Sequence, residues 1–343
     1  MNNLLKYDTQ HVRVFNRDNQ FMKFSHYEDR LLVIADSLFA QSSTLKVSDK
    51  NIQQCHDLID SLENNHYYMV INYDNTHLSF TISYEKNHYE YVLTQKQLIY
   101  WQELFQESTK SFTMADNFDL PHHGKKIMIL FFKELQIPIP TSLTVLKIYY
   151  SNQFFFIPFE FIYSIFIVKH YIISAVKIQS SRIHSASIMY DPELELSKDE
   201  SLHTLKLLEK RSYILDYKTP DLILVSAHGG VDQYKSYLLN DVLESLLEQN
   251  SSKIIIFNSC LLAQCTQGLI QNFLDKGCVV IASPFYTLCQ KTIFGPLLRF
   301  LNNSSGDSVW MSLILLKIFY PRIYRYFRIY IPYKKHCKSK KLL

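Results

Sequence analysis

Two short apolar runs decide the fold of this chain: DLILVSAHGG at residues 221–230 and KIIIFNSC at residues 253–260. Each run stops on one reactive side chain, His228 in the first and Cys260 in the second. A continuous apolar run is typical of a buried parallel strand, and in open α/β sheets chemistry gathers at the carboxyl ends of strands. We therefore expect two neighbouring strands to place an imidazole and a thiol at the same sheet edge, as a cysteine nucleophile with a histidine base requires.

Strand-like and helix-like segments alternate around these two runs. Helices are expected at residues 126–135, 201–211, 239–249, 267–276 and 292–301, and strands at 143–150, 153–159, 221–227, 253–258 and 278–283. In the helix at 201–211, the apolar face is expected to be Leu202, Leu205, Leu207 and Leu208. This alternation predicts an α/β fold with a doubly wound, mostly parallel sheet.

We predict that the first 120 residues form an N-terminal α+β extension. All seven glycines and all ten prolines lie from residue 121 onward, so we place a domain boundary in the loop at 116–125. The extension is expected to hold a helix at 49–64 and an antiparallel meander at 67–73, 77–84 and 88–93. A capping box of Thr94 and Gln97 should then start a further helix. We expect a regulatory or recognition module at 1–120, a main domain at 121–333 and a basic tail at 334–343.

Composition limits the classes of function. A net charge of +4 over 343 residues does not by itself indicate nucleic acid, and six cysteines show no paired framework. The N-terminus has no apolar signal segment, so we expect a cytoplasmic protein with free thiols. The most apolar window, 154–168, is short and contains Pro158 and Glu160, which favours core strands over a transmembrane segment.

Five segments occur in an order that resembles a known family. They are IPFE at 157–160, SAHGG with His228 and Gly229, FNSC with Cys260, LIQNFLDKGCVVIAS at 269–283 with Gly277 on a turn, and SVWMSLILL at 308–316. From about residue 125 to residue 333 the chain resembles a CHAT domain, a branch of the caspase-like cysteine peptidases, whose clan also holds caspases and separase. The resemblance implies a caspase-like fold and a cysteine endopeptidase that needs no cofactor.

The resemblance gives each reactive residue a role. Cys260 would be the nucleophile, His228 the base, and the backbone N–H groups of Gly229 and Cys260 the oxyanion hole. Relatives are held silent until a partner or signal activates them, and bacterial members are associated with defence, including cleavage of gasdermin-like proteins. A protein substrate, with a gasdermin-like protein as one candidate, and an activating partner are therefore the implied partners.

The region that would select the substrate departs from the family. Trp-Asp-Val-x-Asp is replaced by Phe-Tyr-Thr-Leu-Cys at 285–289, so both acidic positions are lost, and apolar Leu261 and Leu262 follow the cysteine. Asp232 is a candidate to orient His228 or to line a pocket, and Tyr286 and Cys289 are candidates to line it. A solvated loop position for Asp232, and core or loop positions for the other two, stay open. A catalytically silent caspase-like interaction or scaffold protein is the alternative to a peptidase.

The sequence does not favour a metal site, a nucleotide site or a nucleic-acid interface. The cysteines lack the paired spacing of zinc ligands, so no metal site is expected, and no glycine-rich strand-to-helix turn indicates nucleotide binding. The C-terminal segment interleaves arginines and lysines with aromatic residues, a pattern that could contact nucleic acid or an anionic membrane. We expect instead a last core strand followed by a solvated tail, and no nucleic-acid partner.

Overall fold

One large sheet carries most of the strands of the fold. The computed structural model describes residues 13–15, 21–23, 66–73, 77–84, 87–112, 122–139, 144–150, 156–162, 165–174, 181–232, 235–285, 287, 294–301, 306–319 and 327–334. The strands are β1 (Arg13–Phe15), β2 (Phe21–Lys23), β3 (His66–Tyr73), β4 (His77–Tyr84), β5 (Asn87–Thr94), β6 (Thr144–Tyr150), β7 (Ile165–Ser174), β8 (Ser185–Tyr190), β9 (Ile214–Leu215), β10 (Leu222–Ser226), β11 (Gly229–Asp232), β12 (Lys235–Leu238), β13 (Ile254–Asn258), β14 (Val279–Ala282) and β15 (Arg328–Lys334).

The sheet is mostly parallel, as the sequence predicts. Across the described residues its strand order is β5-β4-β3-β6-β7-β15-β14-β13-β10-β8-β9. The antiparallel pairs are β5 with β4, β4 with β3, and β15 with β14, and the other neighbours run parallel. The mixed α/β class is therefore confirmed.

Helices cover both faces of this sheet. They are α1 (Gln95–Phe112), α2 (His122–Glu134), α3 (Glu195–Lys210), α4 (Asp241–Glu248), α5 (Leu269–Asp275), α6 (Phe294–Leu298) and α7 (Gly306–Phe319). Successive side chains of β10 enter two separate cores: Ile223 and Val225 one, Leu222 and Leu224 the other. Since side chains of a strand alternate between faces, both faces of the sheet are buried, which explains the continuous apolar runs.

The predicted antiparallel meander is confirmed by the pairing of β3, β4 and β5. At the start of α1, the Gln97 side chain accepts the Thr94 N–H at 3.0 Å, one half of the predicted capping box. β3 pairs in parallel with β6, so the sheet runs across the segment in which the sequence places a domain boundary. The division at residue 120 stays a prediction, and the helix expected at 49–64 lies outside the described residues.

Three local predictions are wrong. Residues 156–159, expected to end a strand, form an irregular stretch and a 3-10 turn (Phe159–Phe161), because Pro158 has no N–H for a ladder. Helix α2 begins at His122, inside the predicted loop. On α3 the predicted apolar face is wrong at Leu202, which is 50 % exposed, although Leu208 is buried as expected. The buried face also carries the polar residues Ser197, Glu200, Ser201 and Thr204.

The last segment that the structure describes begins at residue 327 and contains β15, which confirms the expected last core strand. Residues 335–343 of the basic tail lie outside the described residues. Among the helices that the structure describes, none has the length and apolar character needed to cross a membrane.

Candidate active site

The two reactive residues follow neighbouring strands at the same edge of the sheet. β10 and β13 are parallel partners, and their last residues, Ser226 and Asn258, lie opposite each other in the register. His228 and Cys260 each come two residues after these positions. Both residues therefore leave the sheet at its carboxyl edge, His228 exposed and Cys260 half-buried.

Gly229 joins the histidine segment to the cysteine segment. A Cβ atom at this position would lie 2.7 Å from the carbonyl oxygen of Cys260 and 3.0 Å from Cβ of Ser259. Only glycine allows the two backbones to come this close, because any larger residue would push against main-chain atoms. The close approach brings the backbone after His228 against the segment that carries Cys260.

The backbone turns sharply directly after the cysteine. Leu261 has φ 61° and ψ −7°, the left-handed region that costs a non-glycine residue about 1–2 kcal/mol. Two backbone bonds hold the turn against the segment after β14: Leu261 N–H donates to Phe285 O at 3.0 Å, and Ala263 N–H donates to Ser283 O at 2.9 Å. Strain of this kind in a bulky residue persists where surrounding contacts fix it, and it is enriched at functional sites.

A buried cation anchors the far end of the same turn. Tyr330 Oη donates to Ala263 O at 2.6 Å, and Arg328 Nη1 donates to the same oxygen at 3.5 Å. Arg328 also forms a bidentate pair with Glu160, from Nε to Oε1 at 2.6 Å and from Nη2 to Oε2 at 2.5 Å, and donates to Ile157 O at 3.3 Å. The IPFE segment is thereby tied to the turn that carries the cysteine.

The described hydrogen-bond partners of the Cys260 thiol belong to Thr287. The Thr287 N–H donates to Sγ at 3.4 Å, and Thr287 Oγ1 lies 3.7 Å from Sγ. The Cys260 sulfur is thereby held against the segment that follows β14. The sequence comparison did not single out Thr287, because it lies within the stretch 285–289, where the family pattern is lost.

The other described thiols differ in environment. Cys265 and Cys278 are buried, and burial raises the pKa of Cys265 to about 12 and shifts that of Cys278 upward as well. Since the thiolate is the nucleophile, both should react slowly at neutral pH. Cys260 is the most accessible of the three thiols that the structure describes.

Of the three predicted pocket residues, the structure describes only Asp232. Asp232 is exposed at the end of β11, where its register partner is Lys235 of β12. Tyr286 and Cys289 lie outside the described residues. Within the part of the chain that the structure describes, no group of three or more His, Cys, Asp or Glu residues could hold a metal ion.

The buried polar face of α3 is a second feature that the sequence comparison missed. Glu200 lies beneath the ends of β10 and β13, with contacts to Ser226 and Asn258. The signal for this face was present in the sequence, because residues 197, 200, 201 and 204 are all polar at helical spacing.

Comparison with known proteins adds no assignment to this geometry. No family model matches the chain, and no curated protein matches it. The similarity to CHAT domains therefore stays a prediction carried by the residues named above.

Proposed function

We propose that this chain is a cysteine endopeptidase of the caspase-like type that cleaves a protein partner. One observation supports it most. The adjacent parallel strands β10 and β13 end in register, and a single residue separates each strand end from His228 or Cys260. The close approach at Gly229 and the strained backbone at Leu261 also support the proposal. Both restrict the backbone more than a simple connecting loop would require.

The proposed chemistry has two steps. In the first, His228 takes the proton of the Cys260 thiol, and the sulfur attacks the scissile carbonyl carbon. The carbon–nitrogen bond then breaks as His228 protonates the leaving amine, and a thioester remains. In the second step His228 removes a proton from water, the hydroxide attacks the thioester, and the thiol is regenerated with a carboxylic acid as the second product.

Two further parts of the proposal concern negative charge and substrate choice. The N–H groups of Gly229 and Cys260 would stabilise the tetrahedral oxyanion in each step. The acidic positions expected at 285–289 are replaced by Tyr286 and Cys289, so we expect no preference for a basic side chain at the cleavage site. The N-terminal extension is the part of the chain we assign to sensing an activating partner.

A neutral electrophile such as iodoacetamide tests the reactive pair without knowledge of the substrate. We expect His228→Ala to lower the alkylation rate of Cys260, while the buried Cys265 and Cys278 react slowly in both proteins. His203→Ala is the matched control, because His203 is an exposed histidine on α3. Site-resolved mass spectrometry over time gives the rates. The same Cys260 rate in the wild type and in His228→Ala would contradict the proposed pair.

The second candidate is a caspase-like interaction protein without turnover. One observation favours it: the described hydrogen bonds of the Cys260 thiol go to Thr287 rather than to His228. This candidate predicts that Cys260 is alkylated at the same rate in the wild type and in His228→Ala. The labelling experiment therefore separates the two candidates.

A further inference from the structure

A buried carboxyl group lies directly beneath the two strand ends that carry the reactive pair. Glu200 is on the buried polar face of α3 and has no solvent exposure. Its Oε2 accepts the Ser226 hydroxyl at 2.5 Å and the Asn258 amide at 2.9 Å, and its Oε1 accepts the same amide at 3.1 Å. One carboxyl group thus bridges the last residue of β10 and the last residue of β13.

The partners of Glu200 fit the ionised form. Each contact that the structure gives to its carboxyl oxygens comes from a donor, the Ser226 hydroxyl or the Asn258 amide. A protonated carboxyl group could still donate to the Ser226 hydroxyl, which would then turn its own proton to Ser197 Oγ at 3.1 Å. In the ionised form the carboxylate instead accepts from both strand ends, and its charge makes each of these hydrogen bonds stronger.

The surroundings of Glu200 make that charge sensitive to pH. Burial raises the pKa of Glu200 to about 7, and its hydrogen bonds with Ser226 and Asn258 oppose the rise. Among the described residues, β8, β9, β10, β13 and α6 pack against α3, and none of these elements carries a charged side chain. Asp191, just after β8, has its carboxylate bonded by the Glu193 N–H and the Asn240 amide, and His228 is exposed beyond β10.

Buried polar atoms without a partner surround the same place. Among the described residues, Oδ1 of Asn258, Oγ of Ser259 and Oγ of Ser201 are buried and make no hydrogen bond. Leaving such atoms unpaired costs free energy, so a polar cluster here is not explained by stability alone. Ser259 is also the residue immediately before the nucleophile.

We propose that Glu200 is a positioning residue of the active site, whose carboxylate fixes the ends of β10 and β13 and thereby the spacing of His228 and Cys260. This role rests on the proposed peptidase function, since Glu200 acts through Ser226 and Asn258 and contacts neither reactive residue. A residue that only supports the fold would affect the reactivity of Cys260 equally at all pH values. A proton-sensitive bridge would affect it mainly where Glu200 is ionised.

The test measures the alkylation rate of Cys260 by iodoacetamide in the wild type and in Glu200→Gln between about pH 5.5 and pH 8.5. Because His228 and Cys260 are present in both proteins, the ratio of the two rates isolates the contribution of Glu200. We expect the wild type to react about tenfold faster near pH 8, a loss comparable to one hydrogen bond to a charged group. Below about pH 6 the ratio should approach one, because the side chain at position 200 is then neutral in both proteins.

Asp221→Asn is the matched control for this substitution. Asp221 precedes β10 at its opposite end and contacts Lys253, which precedes β13, so it joins the same two strands away from the reactive edge. We expect its alkylation profile to follow the wild type. If Glu200→Gln does not fold, Ser226→Ala removes one donor to the carboxylate and should give a smaller loss with the same pH dependence.

Two results would overturn the positioning role: a ratio close to one at pH 8, or a reduced rate that is independent of pH. His228→Ala, measured in parallel, keeps this outcome apart from the peptidase proposal. If wild-type labelling depends on His228 and not on Glu200, only the positioning role is wrong. If labelling does not depend on His228, the peptidase proposal itself is contradicted.

Discussion

Loss of the Arg328 guanidinium should destabilise the fold strongly. The Arg328 side chain is 1 % exposed and forms two hydrogen bonds with Glu160, whose side chain is 19 % exposed. Arg328→Met keeps most of the side-chain volume and removes the charge. The Glu160 carboxylate is then left largely buried without its partner, and Ile157 O loses a donor.

The expected size of the effect follows from these contacts. Removing one partner of a buried ion pair costs about 3–5 kcal/mol, and the partial exposure of Glu160 places this case near the lower value. Ala263 O keeps the Tyr330 hydroxyl at 2.6 Å, so it is not left unpaired. In Arg328→Met/Glu160→Leu the whole pair is replaced by apolar groups, so most of the stability should return, apart from about 1 kcal/mol for Ile157 O.

Urea unfolding followed by circular dichroism measures these differences. Lys253→Met is the matched control, because Lys253 Nζ lies 2.5 Å from Asp221 Oδ1 but the two side chains are 30 % and 15 % exposed. When Lys253 is lost, Asp221 keeps the N–H donors of His184 at 2.8 Å and Ser185 at 3.2 Å, so this variant should lose less than Arg328→Met. A loss for Arg328→Met no larger than that for Lys253→Met would contradict the expected cost of leaving the Glu160 carboxylate unpaired.

Three further predictions concern the site itself. Gly229→Ala should lower the alkylation rate of Cys260 about tenfold or more because its Cβ meets the Cys260 backbone, whereas a Cβ in Gly230→Ala meets the Tyr237 side chain and should have little effect. Leu261→Val should lower the free energy of unfolding relative to Leu261→Gly by about 1 kcal/mol or more, since a β-branched residue fits the left-handed region poorly; equal stability of the two would contradict this. For Glu200, the pKa is raised from 4.5 to about 7, so its contribution to stability is fully present below pH 4.5 and is lost as pH rises to 7. The free energy of unfolding of the wild type should therefore fall by up to about 3 kcal/mol relative to Glu200→Gln across this range, as measured by urea unfolding; a constant difference would argue against it.

The sequence predicts the strands around the site well. β10, β13 and β14 are buried on both faces, and such strands appear as uninterrupted apolar runs that local pattern detects. The meander is also predicted, because its aromatic and β-branched runs are separated by short polar turns. Gly277, predicted on a turn, has φ 84° after α5, a conformation that glycine adopts without strain.

Features that depend on distant contacts could not be predicted in this way. β15 lies between β7 and β14, parallel to one and antiparallel to the other, and no local pattern specifies that position. Glu200 is buried by partners 26 and 58 residues further along the chain. The apolar leucines of its helix suggested a face that included Leu202, whereas tertiary packing buried the polar face beneath the strand ends.

New protein N-termini in cells test the central claim most directly, namely that Cys260 and His228 cleave a protein. Terminal peptides are compared between cells that express the wild type, Cys260→Ala, His228→Ala or the control His203→Ala at equal levels. We expect termini that appear with the wild type and with His203→Ala and are absent from both reactive-residue variants; their sequences would define the cleavage site. The same set of termini in all four cell populations would contradict the assignment of a peptidase.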